Sequence, residues 1–256
     1  MTVDAVVLAG GDGAVVDPTS RFKGLLPIAG KPMVEWVVDA LREAQSVHEI
    51  AVVVPTAENL GSWVDKVDKL VVSDGSFIEN VLAGVRSFRE ERPLLIATGD
   101  IPALSPEAID DYVRLSIESG AEVTYPLVRK ENMLASFPGS ERTFIKITGG
   151  SVTGGNVAYV EPLVVERNAQ MGQRLFDTRK SAVQMARILS FGFVARLVSG
   201  RLRVQDVESR MEKLLDARCA AIFTSQASIG ADVDKPVDVI VVERVLYERS
   251  RGMTKE

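Results

Sequence analysis

A glycine-rich loop follows the first apolar run of the chain and could bind a phosphate. It comprises Leu8, Ala9, Gly10, Gly11, Asp12 and Gly13. Because glycine has no side chain, the backbone amides of such a loop can approach phosphate oxygens closely. The spacing fits neither a dinucleotide-binding loop, which a helix follows at once, nor a Walker A loop, which continues with Gly-Lys-Ser or Gly-Lys-Thr. A purely structural turn after a strand is the alternative interpretation.

Two lysines lie between this loop and the first predicted helix. Lys23 opens the run Lys-Gly-Leu-Leu-Pro-Ile-Ala-Gly, and Lys31 and Pro32 follow it at the expected start of the helix. A lysine ammonium is a point charge that binds phosphate. We therefore expect Lys23 to neutralise phosphate charge, and Lys31 to be structural or a modest phosphate contact.

Carboxylates at two other places could bind a metal ion. Asp100 follows an apolar run and precedes Ile-Pro, whereas Asp232, Asp234 and Asp238 cluster near the end of the chain. Carboxylate oxygens are ligands that Mg²⁺ prefers. Each group also has a structural interpretation, because aspartate before proline can cap a turn and carboxylates are favoured at a helix N-terminus.

Strands and helices that could position these residues alternate along the first half of the chain. Apolar runs predict strands at 4–10, 50–54, 70–72, 94–97 and 122–128, and helical spacing predicts helices at 31–41, 77–88 and 106–119. Such alternation predicts a mostly parallel sheet with helices on both faces and ligands at the carboxyl ends of its strands. The glycine loop and Asp100 both follow such ends.

The pattern changes after residue 142. Strands are predicted at 143–147, 156–160 and 220–224, a glycine-rich loop at 149–155, two or three helices within 174–215, and a final helix to about 249. We expect one α/β domain with a helical insert to include the whole chain.

Together, the motifs resemble those of the MobA-like nucleotidyltransferases, which include molybdenum cofactor guanylyltransferases and are related to the sugar-1-phosphate nucleotidyltransferases. Those families carry Leu-Ala-Gly-Gly, then Lys-x-Leu-Leu and Gly-(Lys/Arg)-Pro, matched here at 8–11, 23–26 and 30–32. The resemblance extends from residue 3 to about 248. It implies a three-layer α/β/α sandwich of the nucleotide-diphospho-sugar transferase, or glycosyltransferase-A-like, fold. We expect a single domain over 1–256 with a helical insert at about 165–215.

The resemblance also implies a role for each site residue. Asp100 and Asp232 would bind the catalytic Mg²⁺, and Lys23 would act with Asp100 in catalysis. The implied nucleotide-binding residues are Leu8, Ala9, Gly10, Gly11, Gly13, Arg21, Lys23 and Gly75. The implied acceptor-binding residues are Thr153, Gly155 and Asn156.

The implied reaction transfers a nucleoside monophosphate from an NTP to a small phosphorylated acceptor and releases pyrophosphate. A phosphate acceptor is already a nucleophile at neutral pH, so no general base is required. Accordingly, the single histidine, His48, is expected to be a surface or capping residue, and the single cysteine, Cys219, a small core residue.

One departure from the family pattern leaves alternatives open. Relatives place an arginine about four residues after the glycine loop, where this chain has Ala14, Val15 and Val16; Arg21 could reach in from further along. The chain could instead be a nucleotide-sensing protein without turnover. It could also be a glycosyltransferase of related fold that uses a nucleotide sugar and an Asp-x-Asp metal motif, here Asp232-Val-Asp234.

Composition narrows the partners and the compartment. The 256 residues are 46% hydrophobic and 25% charged, with 30 basic and 35 acidic side chains and a net charge of −5. This balance predicts a globular chain without the polycationic surface that binds nucleic acid. A single cysteine cannot form an internal disulfide, and the first residues lack the basic start of a signal peptide, so we expect a cytoplasmic protein. A homodimer is left open.

Residues 170–203 form a basic segment in this acidic chain. Its charged residues are Arg174, Asp177, Arg179, Lys180, Arg187, Arg196, Arg201 and Arg203. The favoured interpretation is an insert that packs on the core with its arginines in water. Alternatively, the insert covers the acceptor site and recognises a phosphorylated or membrane-proximal acceptor.

Overall fold

The computed structural model describes residues 1–18, 21–178, 184, 188 and 191–252. Three basic residues of the predicted insert, Arg179, Lys180 and Arg187, lie outside the described residues. Among the helices in the described part of the chain, none combines the length and the apolar character that a bilayer crossing requires.

Strands and helices alternate as expected in the first half. The strands are β1 (Val3–Leu8), β2 (Pro27–Ile28), β3 (Lys31–Pro32), β4 (Val47–Val54), β5 (Lys69–Val72), β6 (Leu94–Thr98), β7 (Val123–Arg129), β8 (Ile145–Ile147), β9 (Gly150–Gly154), β10 (Val157–Val160) and β11 (Cys219–Thr224). The helices are α1 (Met33–Glu43), α2 (Phe77–Val85), α3 (Pro106–Ser119), α4 (Lys130–Ser136), α5 (Pro162–Arg167), α6 (Ala169–Thr178), α7 (Phe191–Val198), α8 (Val204–Leu215) and α9 (Pro236–Ser250).

A nine-stranded sheet forms the centre of the described structure, with the order β5-β4-β1-β6-β10-β7-β9-β8 and β11 paired with β7. The pairings make β9 and β10 run opposite to the other seven strands, so the sheet is mostly parallel. The short strands β2 and β3 form a separate hairpin. The expected α/β fold is confirmed.

Strand β1 lies at the centre because its apolar side chains face both ways. Val3, Ala5 and Val7 pack into one core cluster with α1 and α3, whereas Val6 packs on the other face with α2 and α5. Alternate residues of a strand point to opposite faces, so a continuous apolar run satisfies both layers. Helix α2 packs closely because of Gly84, where an added Cβ would lie 2.5 Å from Val6 Cγ1.

Two local predictions were wrong, and one helix was not predicted. The predicted loop at 149–155 contains β9, which pairs with β7 because the left-handed backbone that glycine permits is confined there to Gly149 and Gly150. Helix α4 carried no recognised signal. The first helix begins at Met33 rather than Lys31, because Lys31 and Pro32 pair with β2.

Candidate functional site

The glycine loop lies at the carboxyl edge of the sheet, directly after β1. Gly11 adopts a positive φ of 93°, which a residue with a side chain would rarely accept. The loop is closed by the following segment: the Lys23 amide donates to the Gly11 carbonyl at 3.1 Å, and the Gly13 amide donates to the Arg21 carbonyl at 3.4 Å. The Gly13 amide, expected to bind phosphate, therefore already has a backbone partner.

Lys23 reaches the acidic cluster because its turn packs against the end of β1. At Gly24 an added Cβ would lie 2.9 Å from the Ala9 carbonyl oxygen, so only glycine allows this approach. The Lys23 ammonium lies 2.5 Å from Asp100 Oδ2 and also pairs with Asp234. Burial disfavours its charged form, but these two carboxylates outweigh burial and raise the pKa of Lys23.

Asp100 follows β6, and its two carboxylate oxygens differ in environment. Oδ2 accepts from Lys23, whereas Oδ1 is buried and has no hydrogen-bond partner among the described residues. Its carbonyl accepts from the Val233 amide at 3.0 Å, which brings the acidic segment beside β6. The side chain thus pairs with a cation instead of capping the turn after it.

Asp232 completes the cluster from the loop before α9. It forms an ion pair with Arg142, and Asn156 Nδ2 donates to its Oδ1 at 2.9 Å. Burial raises the pKa of Asp232 to about 6; Arg142 opposes this shift, and the charges of Asp100 and Asp234 add to it. Burial also acts on Asp234, but its hydrogen bonds to Asp232 and Lys23 lower its pKa overall.

The three carboxylates offer ligand atoms that lie within 4.8 Å of one another: Asp100, Asp232 and Asp234. Within the described part of the chain, Lys23 and Arg142 are the cations that pair with these three carboxylates, so negative groups outnumber positive ones there. The donors are all carboxylate oxygens, and one of them is buried without a partner. This donor set fits a hard divalent cation such as Mg²⁺.

Asp238, in contrast, has a structural role. Its Oδ2 accepts from the backbone amides of Asp234 at 3.0 Å and Lys235 at 2.9 Å, at the first turn of α9. This is the helix N-terminal role that the sequence left open for the acidic segment.

The predicted acceptor-binding residues, Thr153, Gly155 and Asn156, lie in β9 and in the turn between β9 and β10. Asn156 joins the cluster through Asp232. Thr153 is buried in β9 opposite Val128. The Gly155 carbonyl accepts from Tyr125 Oη at 2.7 Å, and an added Cβ there would lie 2.4 Å from a side-chain carbon of Ile229.

Two other predicted nucleotide-binding residues, Arg21 and Gly75, lie on loops outside the acidic cluster. The Arg21 guanidinium lies 5.0 Å from the ring centroid of Phe22. Gly75 lies beyond β5, where its amide donates to Asn80 Oδ1 at 3.1 Å. Leu8, Ala9 and Gly10 end β1 and begin the glycine loop.

No sequence motif pointed to Arg142, and Asp234 was not among the magnesium ligands that the resemblance implied. Arg142 lies in the loop between α4 and β8, where no motif distinguishes it from other surface arginines. The sequence pattern Asp-x-Asp, a metal-binding motif, was the signal that could have identified Asp234.

The single histidine and the single cysteine lie away from the cluster. His48 is half-exposed, and its Nδ1 lies 3.2 Å from Asp4 Oδ1 at the start of β1. Cys219 is half-buried at the start of β11, and burial raises its thiol pKa to about 11. The thiol is therefore protonated at neutral pH, which is consistent with a packing role.

Comparison with known proteins identifies similar sequences. The model of the family described as MobA-like NTP transferase domain matches residues 5–188. Bifunctional protein GlmU from Exiguobacterium sibiricum is 31% identical over 127 residues, which cover 47% of this chain and 27% of that protein. The GlmU protein from Thermosipho africanus is 32% identical over 137 residues, covering 50% and 28%. The chain thus spans little more than a quarter of the length of these relatives.

Solved structures agree with this result. A hypothetical transferase from Thermus thermophilus is 30% identical, with a TM-score of 0.81 over 93% of this chain and 100% of that one. A CMP:2-keto-3-deoxy-manno-octonic acid synthetase complexed with CTP has a TM-score of 0.62 at 13% identity, over 97% of this chain and 100% of that one. The second likeness concerns the fold alone, which is that of the nucleotide-diphospho-sugar transferases.

Proposed function

The chain belongs to the MobA-like NTP transferase family, a family of nucleotidyltransferases, and from this premise we propose its reaction. It transfers a nucleoside monophosphate from an NTP to a small phosphorylated acceptor, with Mg²⁺, and releases pyrophosphate. The observation that carries the proposal is the position of Lys23, which joins the glycine loop to Asp100 and Asp234 at the carboxyl edge of the sheet.

The glycine loop is the proposed binding site of the triphosphate. Gly10 and Gly11 follow the buried end of β1, and nothing lies within 4 Å of a Cβ added at Gly10, so a phosphate can approach the backbone there. Lys23 lies at the base of the loop. When a nucleotide binds, its ammonium can exchange its carboxylate partners for phosphate oxygens and offset the charge of the departing pyrophosphate.

Asp100 and Asp232 are the proposed ligands of the metal ion, with Asp234 beside them. A Mg²⁺ ion held there would supply Lewis-acid polarisation of the α-phosphate. The protein contributes the fixed carboxylates, and Asn156 orients one of them through its hydrogen bond to Asp232. Lys23 and Arg142 pair with the carboxylates before the substrates arrive.

The acceptor is proposed to enter beside Thr153, Gly155 and Asn156. An acceptor phosphate attacks without a general base, because its second pKa near 6 leaves it largely ionised at neutral pH. The positions of His48 and Cys219 support such a mechanism, since neither side chain lies at the cluster. Catalysis then depends on in-line positioning and on neutralising phosphate charge.

The helical insert is proposed to be a packing element of one domain that includes the whole chain. The Phe77 and Phe176 rings stack at 4.0 Å between α2 and α6, and Arg196 and Arg203 pair with Asp206. The described arginines of the basic segment 170–203 are exposed: Arg174, Arg196, Arg201 and Arg203. These contacts support an insert that packs on the core with its arginines in water.

A pyrophosphate-release assay tests the proposal. ATP, CTP, GTP and UTP are each combined with Mg²⁺ and a panel of phosphorylated acceptors. We expect release that requires one NTP and one acceptor and that falls by about 10²- to 10³-fold in Asp100→Asn. The matched control is Asp65→Asn, because Asp65 is an exposed aspartate outside the cluster.

Nucleotide sensing without turnover is the second candidate. The observation in its favour is the turn at 14–16, where Val15 is exposed in place of the phosphate-binding arginine of relatives. Nucleotide binding by calorimetry, together with no pyrophosphate release across the panel, would favour sensing. The motif Asp232-Val-Asp234 left glycosyl transfer open as an alternative. Family membership favours nucleotidyl transfer over it.

A further inference from the structure

Arg142 is a mostly buried arginine whose guanidinium is fixed on one carboxylate of the acidic cluster. Its side chain is 12% exposed. The guanidinium pairs with the Asp232 carboxylate through Nη2, and Nη1 donates to the Asp232 carbonyl oxygen at 3.1 Å. Both of these nitrogens therefore serve the same residue, one on its carboxylate and the other on its backbone carbonyl oxygen.

The position of Arg142 distinguishes it from Lys23. Lys23 pairs with Asp100 and Asp234, on the side of the glycine loop, whereas Arg142 pairs with Asp232. Asp232 also accepts from Asn156, one residue after Gly155. Arg142 thus lies beside the backbone to which the acceptor is assigned, and Lys23 lies beside the nucleotide loop.

Metal binding would leave Arg142 without a complete partner. A divalent cation on Asp232 competes with the guanidinium for the same carboxylate, and the two positive groups repel each other in a site screened from water. A mostly buried guanidinium retains its charge and requires an anion. An oxyanion of the substrate between the two cations would meet both requirements.

We propose that Arg142 binds the phosphate of the acceptor, and that Asp232 is its partner only until the metal ion and the acceptor bind. This inference rests on the proposed function and deepens it. The acceptor class is a phosphate monoester, because a forked guanidinium matches two phosphate oxygens. Arg142 thereby selects phosphorylated over neutral acceptors.

Mn²⁺ alone tests the first half of the inference. Its affinity is measured by electron paramagnetic resonance at pH 8 for the wild type, Arg142→Gln and Arg142→Lys, with no substrate present. Because Arg142→Gln removes a competing cation from Asp232, we expect that variant to bind Mn²⁺ about 3- to 10-fold more tightly. Unchanged or weaker Mn²⁺ binding would overturn the proposed competition.

Inorganic phosphate tests the second half. With saturating Mn²⁺, we expect calorimetry to show phosphate binding that weakens about 10- to 100-fold in Arg142→Gln and less in Arg142→Lys, which keeps the charge but loses the fork. The control is Arg244→Gln, whose guanidinium donates to the Pro138 carbonyl oxygen and touches no carboxylate of the cluster. Equal phosphate affinity in the wild type and both Arg142 variants would overturn the assignment.

Thermal unfolding and turnover separate the possible causes of failure. If Arg142→Gln does not fold, Arg142→Lys decides the matter: weakened phosphate binding in a folded protein supports the inference, and unchanged binding overturns it. In the turnover assay, the Michaelis constant for the acceptor should rise more than that for the NTP. Absence of NTP transfer in the wild type would contradict the proposed function, while the Mn²⁺ and phosphate measurements still report on Arg142.

Discussion

Both edges of the sheet bury a carboxylate beside a basic side chain, but they satisfy its hydrogen-bonding oxygens differently. At the amino edge, Asp4 is 1% exposed; it accepts from the Glu49 amide at 3.2 Å and lies 3.2 Å from His48 Nδ1, and Arg92 lies beside that ring. At the carboxyl edge, three carboxylates meet, and the Oδ1 atom of Asp100 has no partner among the described residues.

The comparison teaches that burial of an acid does not by itself indicate function. Asp4 links the neighbouring strands β1 and β4 through its contacts with His48 and Glu49, which is a structural role. The carboxyl edge gathers like charges from segments far apart in the chain, an arrangement that costs stability unless a cation offsets it. Several carboxylates meet at the carboxyl edge, and one of their oxygens lacks a hydrogen-bond partner among the described residues. We therefore infer that this edge is the functional one.

The largest expected effect comes from Lys23 at the carboxyl edge. Replacing Lys23 by Gln removes the cation proposed to offset pyrophosphate charge, so we expect kcat to fall by about 10²- to 10³-fold in the pyrophosphate-release assay. Lys31→Gln is the matched control, because Lys31 pairs with Asp39 at 2.5 Å and belongs to the same run of sequence. Equal losses in both variants would mean that Lys23 has no special role.

Asp4 at the amino edge should affect stability and leave activity unchanged. Asp4→Ala leaves the partly buried Glu49 amide without this acceptor, which should lower the free energy of unfolding by about 1 to 3 kcal/mol in urea titrations. Asp4→Asn keeps an acceptor oxygen and should lose less. A loss of turnover in a folded Asp4→Asn protein would contradict the assignment of a structural role to the amino edge and a functional role to the carboxyl edge.

The pH dependence of metal binding should reflect the raised pKa of Asp232, about 6. Below that pH the carboxyl is protonated in the folded protein and does not bind a cation. Mn²⁺ affinity should therefore fall by about tenfold for each pH unit below 6, and the contribution of Asp232 should level off above it. In Asp232→Asn the step near pH 6 should disappear, and its persistence would assign the titration to another group.

The smallest effect is expected at Ser105, which lies on the loop after Asp100 but is structural. Its hydroxyl accepts from the Ala108 amide at 3.3 Å and caps α3, with Pro106 in the first turn. Ser105→Ala should lower the free energy of unfolding by about 1 kcal/mol and leave turnover unchanged. Altered kinetics would show that the cap also positions Asp100.

Much of the fold could be predicted because its signals are local. The apolar run of β1 and the Ser-Pro start of α3 are patterns within a few residues, and both elements formed as expected. Strand β9 was missed because its glycines resemble a turn, yet Val152, Thr153 and Gly154 pair with β7. Helix α4 was missed because its seven residues are too few to show a helical period.

By itself, the sequence determined the order of most strands and helices, and with it the placement of the glycine loop and Asp100 at strand ends. It also determined the family, through motifs that are each short. Only the tertiary structure decided which charges meet: Arg142 and Asp232 are 90 residues apart, and Lys23 and Asp234 are 211 apart. Such contacts depend on how the loops pack at the edge of the sheet, and no local period or spacing records that packing.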